Sequence, residues 1–218
     1  MSYDEMKTIA ETQYQLNWWG ENVGSGSNYF NETYVEWLNK YIKYIDAKNI
    51  YEIGCGEWKF MKNIDFTNRT YTGFDIVSNV IEKNTKQYGS PSITFKCCNI
   101  LENMDEIENA DLIIIKDMLV NWSNNQIKTL LQQLQERSKR IVVCSWNDQT
   151  LHDCDYGEYR GLSVAKEPLK TFHPKILLTV CDYFNDNMYK EIVVIYGQNT
   201  KDDVFQTKYR FNLCEDCG

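Results

Sequence analysis

Basic charge is in deficit in this sequence: 23 Lys and Arg stand against 31 Asp and Glu, for a formal charge of -8 at pH 7. A surface that neutralises phosphates needs the opposite balance, so nucleic acid is excluded as an expected partner. No apolar run approaches the roughly 18 residues that a membrane-spanning helix requires. The opening stretch MSYDEMKTIAETQYQ lacks the charged-then-apolar pattern of an export signal. The expectation is a cytoplasmic protein with no membrane partner. Internal repeats and low-complexity linkers are also missing, and 218 residues suit one domain better than two. The organisation expected is a single domain over 1–218, made of an N-terminal helical or lid segment (1–47), a core sheet (48–197) and a tail (198–218).

The eight cysteines do not read as a disulfide framework. Cys55, Cys97, Cys98, Cys144, Cys154, Cys181, Cys214 and Cys217 are scattered, several inside apolar strand-like runs. In a chain with no export pattern they read as small buried hydrophobes. The terminal C-x-x-C at Cys214 and Cys217 would hold zinc only with two further ligands from elsewhere, and it reads as a polar tail with two thiols. No metal site is assigned there.

What the sequence does contain is ample core material, 43% hydrophobic and 14% aromatic, in a regular alternation. Short β-rich runs occur at KNIYEI (48–53), TYTGFD (70–75), SITFKC (92–97), ADLIIIK (110–116) and RIVVCS (140–145). Between them lie SNVIEKNTKQYG, LENMDEIEN and SNNQIKTLLQQLQERS, which carry helical period or helix-start signals. In the last, Ile127, Leu130, Leu131 and Leu134 repeat at helical spacing behind an N-cap at Ser123 or Asn124. Strands alternating with helices predict a parallel sheet covered on both faces. The rhythm changes at KILLTVCDYF and MYKEIVVIYG, two β-rich runs separated by the turn sequence NDN, which predict an antiparallel hairpin as strands six and seven.

The stretch NIYEIGCGEWKF runs from a strand into a glycine turn and then, by the usual pattern, into a helix. In doubly wound sheets such a turn, beyond the first strand, lets a ligand approach the backbone. A dinucleotide fingerprint needs a third glycine, yet counting on from Gly54 and Gly56 lands on Lys59, so NAD is disfavoured. The alternative, E/D-x-G-x-G, suits the amino-acid part of a zwitterionic ligand. An acid is expected about 20 residues on, at the end of strand two, to accept from ribose hydroxyls, and Asp75 stands there.

With these features together the sequence resembles class I S-adenosylmethionine-dependent methyltransferases, over about residues 15 to 197. EIGCGEW looks like the Gly-Cys-Gly-acid-Trp motif of one subgroup, and DLIIIKDMLVNWSNNQI like its Lys-Asp-x-Leu-x-His-Trp segment. GEYRGLSV looks like its Gly-x-Tyr-Arg segment and WWGENVGSGS like its N-terminal loop. One departure stands out: Asn121 occupies the place of the subgroup's His. The resemblance implies an α/β, Rossmann-like doubly wound sheet of seven strands, strands one to five parallel, ending in the antiparallel hairpin. It implies S-adenosylmethionine as cofactor, with Gly54, Cys55, Gly56 and Trp58 around the methionine part, Glu52 near its ammonium group and Asp75 on the ribose. Asn99, Ile76 and Ile100 would meet the adenine, and Asn99 reads equally well as a helix N-cap.

Methyl transfer is an in-line displacement, so the protein must align the acceptor and deal with its proton. Strand four of this fold points at the methyl group, which makes Asp117 the expected base or orienter and Lys116 its neighbour at both cofactor and acceptor; the alternative is a surface ion pair. His152 is the candidate to replace the missing His. Trp18, Ser25, Asn121, Trp122, Tyr159 and Arg160 are expected on the acceptor side, Arg160 alternatively as a structural tie. Asp117, Asn147 and Asp148 would offer oxygens to Mg2+, a possible but not favoured cofactor. The function implied is O-methylation of a hydroxyl of a small polar acceptor, a sugar or glycan in a microbial or viral setting, in association with glycosyltransferase modules. A small-molecule N-methyltransferase and a catalytically silent S-adenosylmethionine-binding protein are the alternatives. Oligomeric state is left open.

Overall fold

The computed structural model describes residues 2–18, 28–147, 152–181 and 189–201. Seven strands appear among them: β1 (Asn49–Ile53), β2 (Thr70–Asp75), β3 (Ile93–Cys97), β4 (Leu112–Lys116), β5 (Arg140–Trp146), β6 (Lys175–Cys181) and β7 (Tyr189–Tyr196). They form one sheet in the order β3-β2-β1-β4-β5-β7-β6. Strands β1 to β5 are parallel, and β7 runs antiparallel to both β5 and β6. This is the Rossmann-like sheet with a terminal antiparallel hairpin that the sequence predicts; the NDN connection at 185–187 lies outside the described residues. The strand order reverses between β1 and β4, and a doubly wound sheet opens a crevice at that point beyond the strands' carboxyl ends.

Four α-helices accompany the sheet among the described residues: α1 (Tyr3–Gln15), α2 (Asn28–Tyr44), α3 (Ser78–Tyr88) and α4 (Asn124–Arg137). Strand β4 is buried along its whole length because both its faces are covered. Ile113 and Ile115 meet Ile127, Leu130, Leu131 and Leu134 of α4 on one face. Leu112 and Ile114 share the other with Trp37, Leu38 and Tyr41 of α2. The alternation along the strand thus divides one apolar run between two cores. Ser123 caps α4 in a reciprocal capping box with Gln126, which settles the two N-caps the sequence left open.

Two expected helices are absent. LENMDEIEN supplies only a 3-10 turn, Met104–Glu106. Its apolar residues Leu101, Met104 and Ile107 recur every three positions, matching the three-per-turn period and packing on the core from there. After β1 there is a 3-10 turn at Met61–Asn63 where the helix was expected. Gly54, Gly56 and Trp58 all take positive φ (74°, 51° and 57°), and a right-handed helix cannot pass through left-handed residues.

Candidate active site

The carboxyl ends of β1, β2, β4 and β5 open into a cavity of about 360 Å³, closed on one side by α1 through Met6, Ala10, Gln13 and Tyr14. Its base is the glycine turn. The Gly54 and Cys55 amides both donate to the Phe74 carbonyl, at 2.8 and 3.0 Å, which ties the turn to the end of β2. Asp75 completes the tie, its two oxygens accepting from the Gly56 and Val77 amides at 3.0 Å each. Burial holds the Asp75 carboxyl above its ordinary range, against the weaker opposing pull of these amides. A Cβ added at Gly54 would stand 2.9 Å from Cγ and Sδ of Met118, so the close approach of the turn to the cavity depends on glycine. From α3, Asn84 donates to the Gly56 carbonyl at 2.7 Å, a contact no sequence motif announces.

Gly54, Cys55, Gly56, Trp58, Asp75, Ile76, Asn99, Ile100 and Lys116 all line this cavity. Asn99 does so while its side chain accepts from the Leu101 amide at 3.2 Å and contacts the Met6 sulfur, so it caps a turn and faces the cavity together. Trp58 makes its main contacts elsewhere, against Phe66, Tyr71, Tyr88 and Phe95, and anchors the turn to the core.

Glu52 corrects the expectation. It does not line the cavity; it lies in the core on the α2 face and accepts a short hydrogen bond from the Tyr71 hydroxyl. Strand alternation is the reason, since Ile53 and Glu52 must point to opposite faces. Burial pushes the Glu52 carboxyl up to about 8, against the opposing pull of Tyr71 and Lys116.

At the end of β4, Asp117 takes a left-handed φ of 56° that turns its carboxylate toward β7. Its Oδ2 accepts from Lys116 Nζ at 2.5 Å and from Lys190 Nζ at 2.6 Å, while Oδ1 has no hydrogen-bond partner among the described residues. Burial alone would raise Asp117, but the two ammonium groups outweigh it and hold the carboxyl below its ordinary range. The surface-pair alternative fails, because the Lys116 side chain is only 2% exposed and Lys190 is fully buried. As a base Asp117 is weak; as a fixed charge and hydrogen-bond acceptor it is well held.

Asn121, Trp122 and Tyr159 also line the cavity, as do Tyr156, Gly157, Met118 and Trp146. Three expectations fail. His152 is exposed and outside the cavity; its carbonyl accepts from Arg160 at 3.2 Å. Arg160 is buried away from the cavity and also donates to the Trp122 carbonyl, so its guanidinium ties the segment after β5 to the one after β4. Trp18 is 65% exposed and does not line the cavity. Ser25, Asp148 and the terminal Cys214 and Cys217 lie outside the described residues. The magnesium set does not fit either, since Asp117 already carries two ammonium groups and Asn147 hydrogen-bonds Glu191. No cluster of three metal-ligating side chains occurs among the described residues.

The missed residues fall into two kinds. Met6, Ala10, Gln13 and Tyr14 belong to an amphipathic helix with no motif of its own, although its Ser2–Glu5 capping box marks its start. Lys190 lies inside the apolar run of β7, and a lysine in such a run was the available signal.

No protein-family model and no curated protein sequence matches this chain. Solved structures do. Magnesium protoporphyrin IX methyltransferase (ChlM) from Synechocystis PCC 6803, with bound SAH, aligns with a TM-score of 0.60 at 13% identity, covering 87% of this chain and 98% of that one. The N-methyltransferase NodS from Bradyrhizobium japonicum WM9, in complex with S-adenosyl-L-homocysteine, aligns with a TM-score of 0.57 at 16% identity over 75% of this chain and 87% of that one. The N-terminal domain of EvdMO1, in the presence of SAH and D-fucose, reaches 0.56 at 14% identity over 75% of this chain and 82% of that one. The chain therefore has the fold of the S-adenosylmethionine-dependent class I methyltransferases.

Proposed function

We propose that this protein transfers a methyl group from S-adenosylmethionine to an oxygen of a small polar acceptor, with carbohydrate as the acceptor class. The observation that carries the reading is the joint between Asp75 and the Gly56 amide at 3.0 Å, where the acid after β2 meets the glycine turn after β1 at the cavity. Gly54 to Gly56 would lie along the methionine part, Asp75 on the ribose, and Ile76, Ile100 and Asn99 around the adenine. When bound, the cofactor supplies an electrophilic methyl group beside a sulfonium. Similarly folded enzymes crystallised with SAM or SAH support this choice.

Trp122, Trp146, Tyr156 and Tyr159 line the rest of the cavity, and aromatic faces with hydroxyl edges suit a sugar ring. The EvdMO1 domain prepared with D-fucose is consistent with that class.

Calorimetric titration with S-adenosylhomocysteine and, separately, with NAD tests the cofactor. Binding of the first alone is expected. No heat with S-adenosylhomocysteine would overturn the reading.

A further inference from the structure

Asn84 stands on the buried stripe of α3, one turn after Val80 and Ile81, and is only 1% exposed. Its Nδ2 donates to the Gly56 carbonyl at 2.7 Å, while its Oδ1 has no hydrogen-bond partner among the described residues. A buried amide with an idle oxygen is a costlier way to fill this place than a leucine of similar size. Packing therefore does not account for Asn84, and the donor aimed at the glycine turn does.

Gly56 is thus held on both sides. Its amide donates to Asp75 at 3.0 Å, which fixes it from the end of β2, and its carbonyl is fixed from α3. Gly56 and Glu57 line the cavity and Asn84 does not, so the carbonyl is drawn away from the ligand space. The Gly56–Glu57 bond is trans, and in a planar trans peptide the N–H points opposite to the C=O. The Glu57 N–H is thereby turned to the cavity side, where it has no acceptor among the described residues. The Glu57 carboxylate itself lies against Lys59 and Lys83, at 3.0 and 3.3 Å, so its charge is compensated beside that amide.

We propose that Asn84 is a positioning residue for the cofactor: by fixing the Gly56 carbonyl it presents the Glu57 amide to the carboxylate of the methionine part. An N–H aimed in advance at a carboxylate makes a charge-assisted hydrogen bond with little reorganisation. Once the Asn84 donor is removed, the Gly56–Glu57 peptide, with glycine on one side, is free to rotate its N–H away from the cavity. Asn84 acts through this peptide and does not touch the ligand. This inference rests on the methyltransferase reading above and deepens it, since it names what holds one end of the cofactor.

The test is calorimetric titration with S-adenosylhomocysteine and with its decarboxylated form, which keeps the amine and the adenosine. The unmutated protein is expected to bind S-adenosylhomocysteine at least about tenfold tighter than the decarboxylated form. Asn84→Leu, similar in size but without the donor, should lose most of that preference while its affinity for the decarboxylated form changes less than about threefold. A residue that only supported the fold would weaken both ligands alike. Should the leucine variant not fold, Asn84→Ala carries the same comparison. If the unmutated protein binds both ligands equally, or its preference survives without Asn84, or the two affinities fall together, the assignment is overturned and the methyltransferase reading stands. If S-adenosylhomocysteine does not bind the unmutated protein, both are overturned.

Discussion

Lys190 and Asp117 lie 73 positions apart in the chain and their side chains meet at 2.6 Å. The hairpin makes this possible. Because β7 runs antiparallel to β5, its first residues lie beside the last residues of β5, and Lys190 pairs with Trp146 in register. A residue from near the end of the chain thereby reaches the rim where β4 delivers Asp117. Lys190→Met removes one of the two charges on a buried carboxylate, and charged hydrogen bonds of this kind are worth about 2 kcal/mol. The expected result is an unfolding free energy, from urea titration, lower by that amount. Lys139→Met, at a pair where the lysine side chain is 61% exposed, should shift it by no more than about 0.5 kcal/mol. Equal effects at the two sites would contradict the structural account of Lys190.

Glu52 makes stability pH-dependent in a direction opposite to most carboxylates. Its folded-state value of about 8 lies above the ordinary 4.5, so between those values the folded chain holds a proton that the unfolded chain has lost. Stability therefore falls as pH rises through this window. The penalty is absent below the unfolded value and complete above the folded one, at roughly 1.4 kcal/mol for each pH unit between. Denaturant melts from pH 5 to 8.5 are expected to lose a few kcal/mol, and Glu52→Gln should flatten most of that slope. A Gln variant with an unchanged slope would assign the titration to another group.

The sheet was legible because its signals are local and redundant. LIIIK announces a strand covered on both faces, and the hairpin runs announce a change of rhythm. Asp75 was legible because its place is fixed by the strand that precedes it. Glu52 was misread because only the pleat decides which of two adjacent residues faces the ligand. His152 and Arg160 were misread because a loop's path depends on long-range hydrogen bonds, here from the Arg160 guanidinium to two carbonyls, and no period records them. The expected helix after Gly56 failed for the converse reason: Trp58 gains more by entering an aromatic cluster than the segment gains from a helix.

Asp75 serves the turn and, on the proposed reading, the ribose. Asp75→Ala strips acceptors from the Gly56 and Val77 amides and from ligand hydroxyls together, so S-adenosylhomocysteine affinity should fall at least tenfold and the melting temperature should drop. Asp75→Asn keeps one carbonyl oxygen for an amide and should recover much of the stability while affinity stays low. Calorimetry beside thermal melts separates the two roles. Unchanged affinity in both variants would remove Asp75 from the ligand site.

Gly54 offers the sharpest steric test of the turn. Its φ of 74° costs an alanine roughly 1–2 kcal/mol, and the new Cβ meets Met118 Cγ and Sδ at 2.9 Å. Met118 itself lines the cavity, so the clash pushes its side chain into space read as ligand space. Gly54→Ala is therefore expected to lower stability by about 1–2 kcal/mol and S-adenosylhomocysteine affinity by a larger factor than that strain explains. Adding Met118→Ala removes the clash and leaves the backbone strain, so affinity should recover in the double variant while the strain cost persists. If affinity falls with Gly54→Ala and the Met118 truncation restores none of it, the loss comes from the backbone alone, and Met118 is not the wall that the turn packs against.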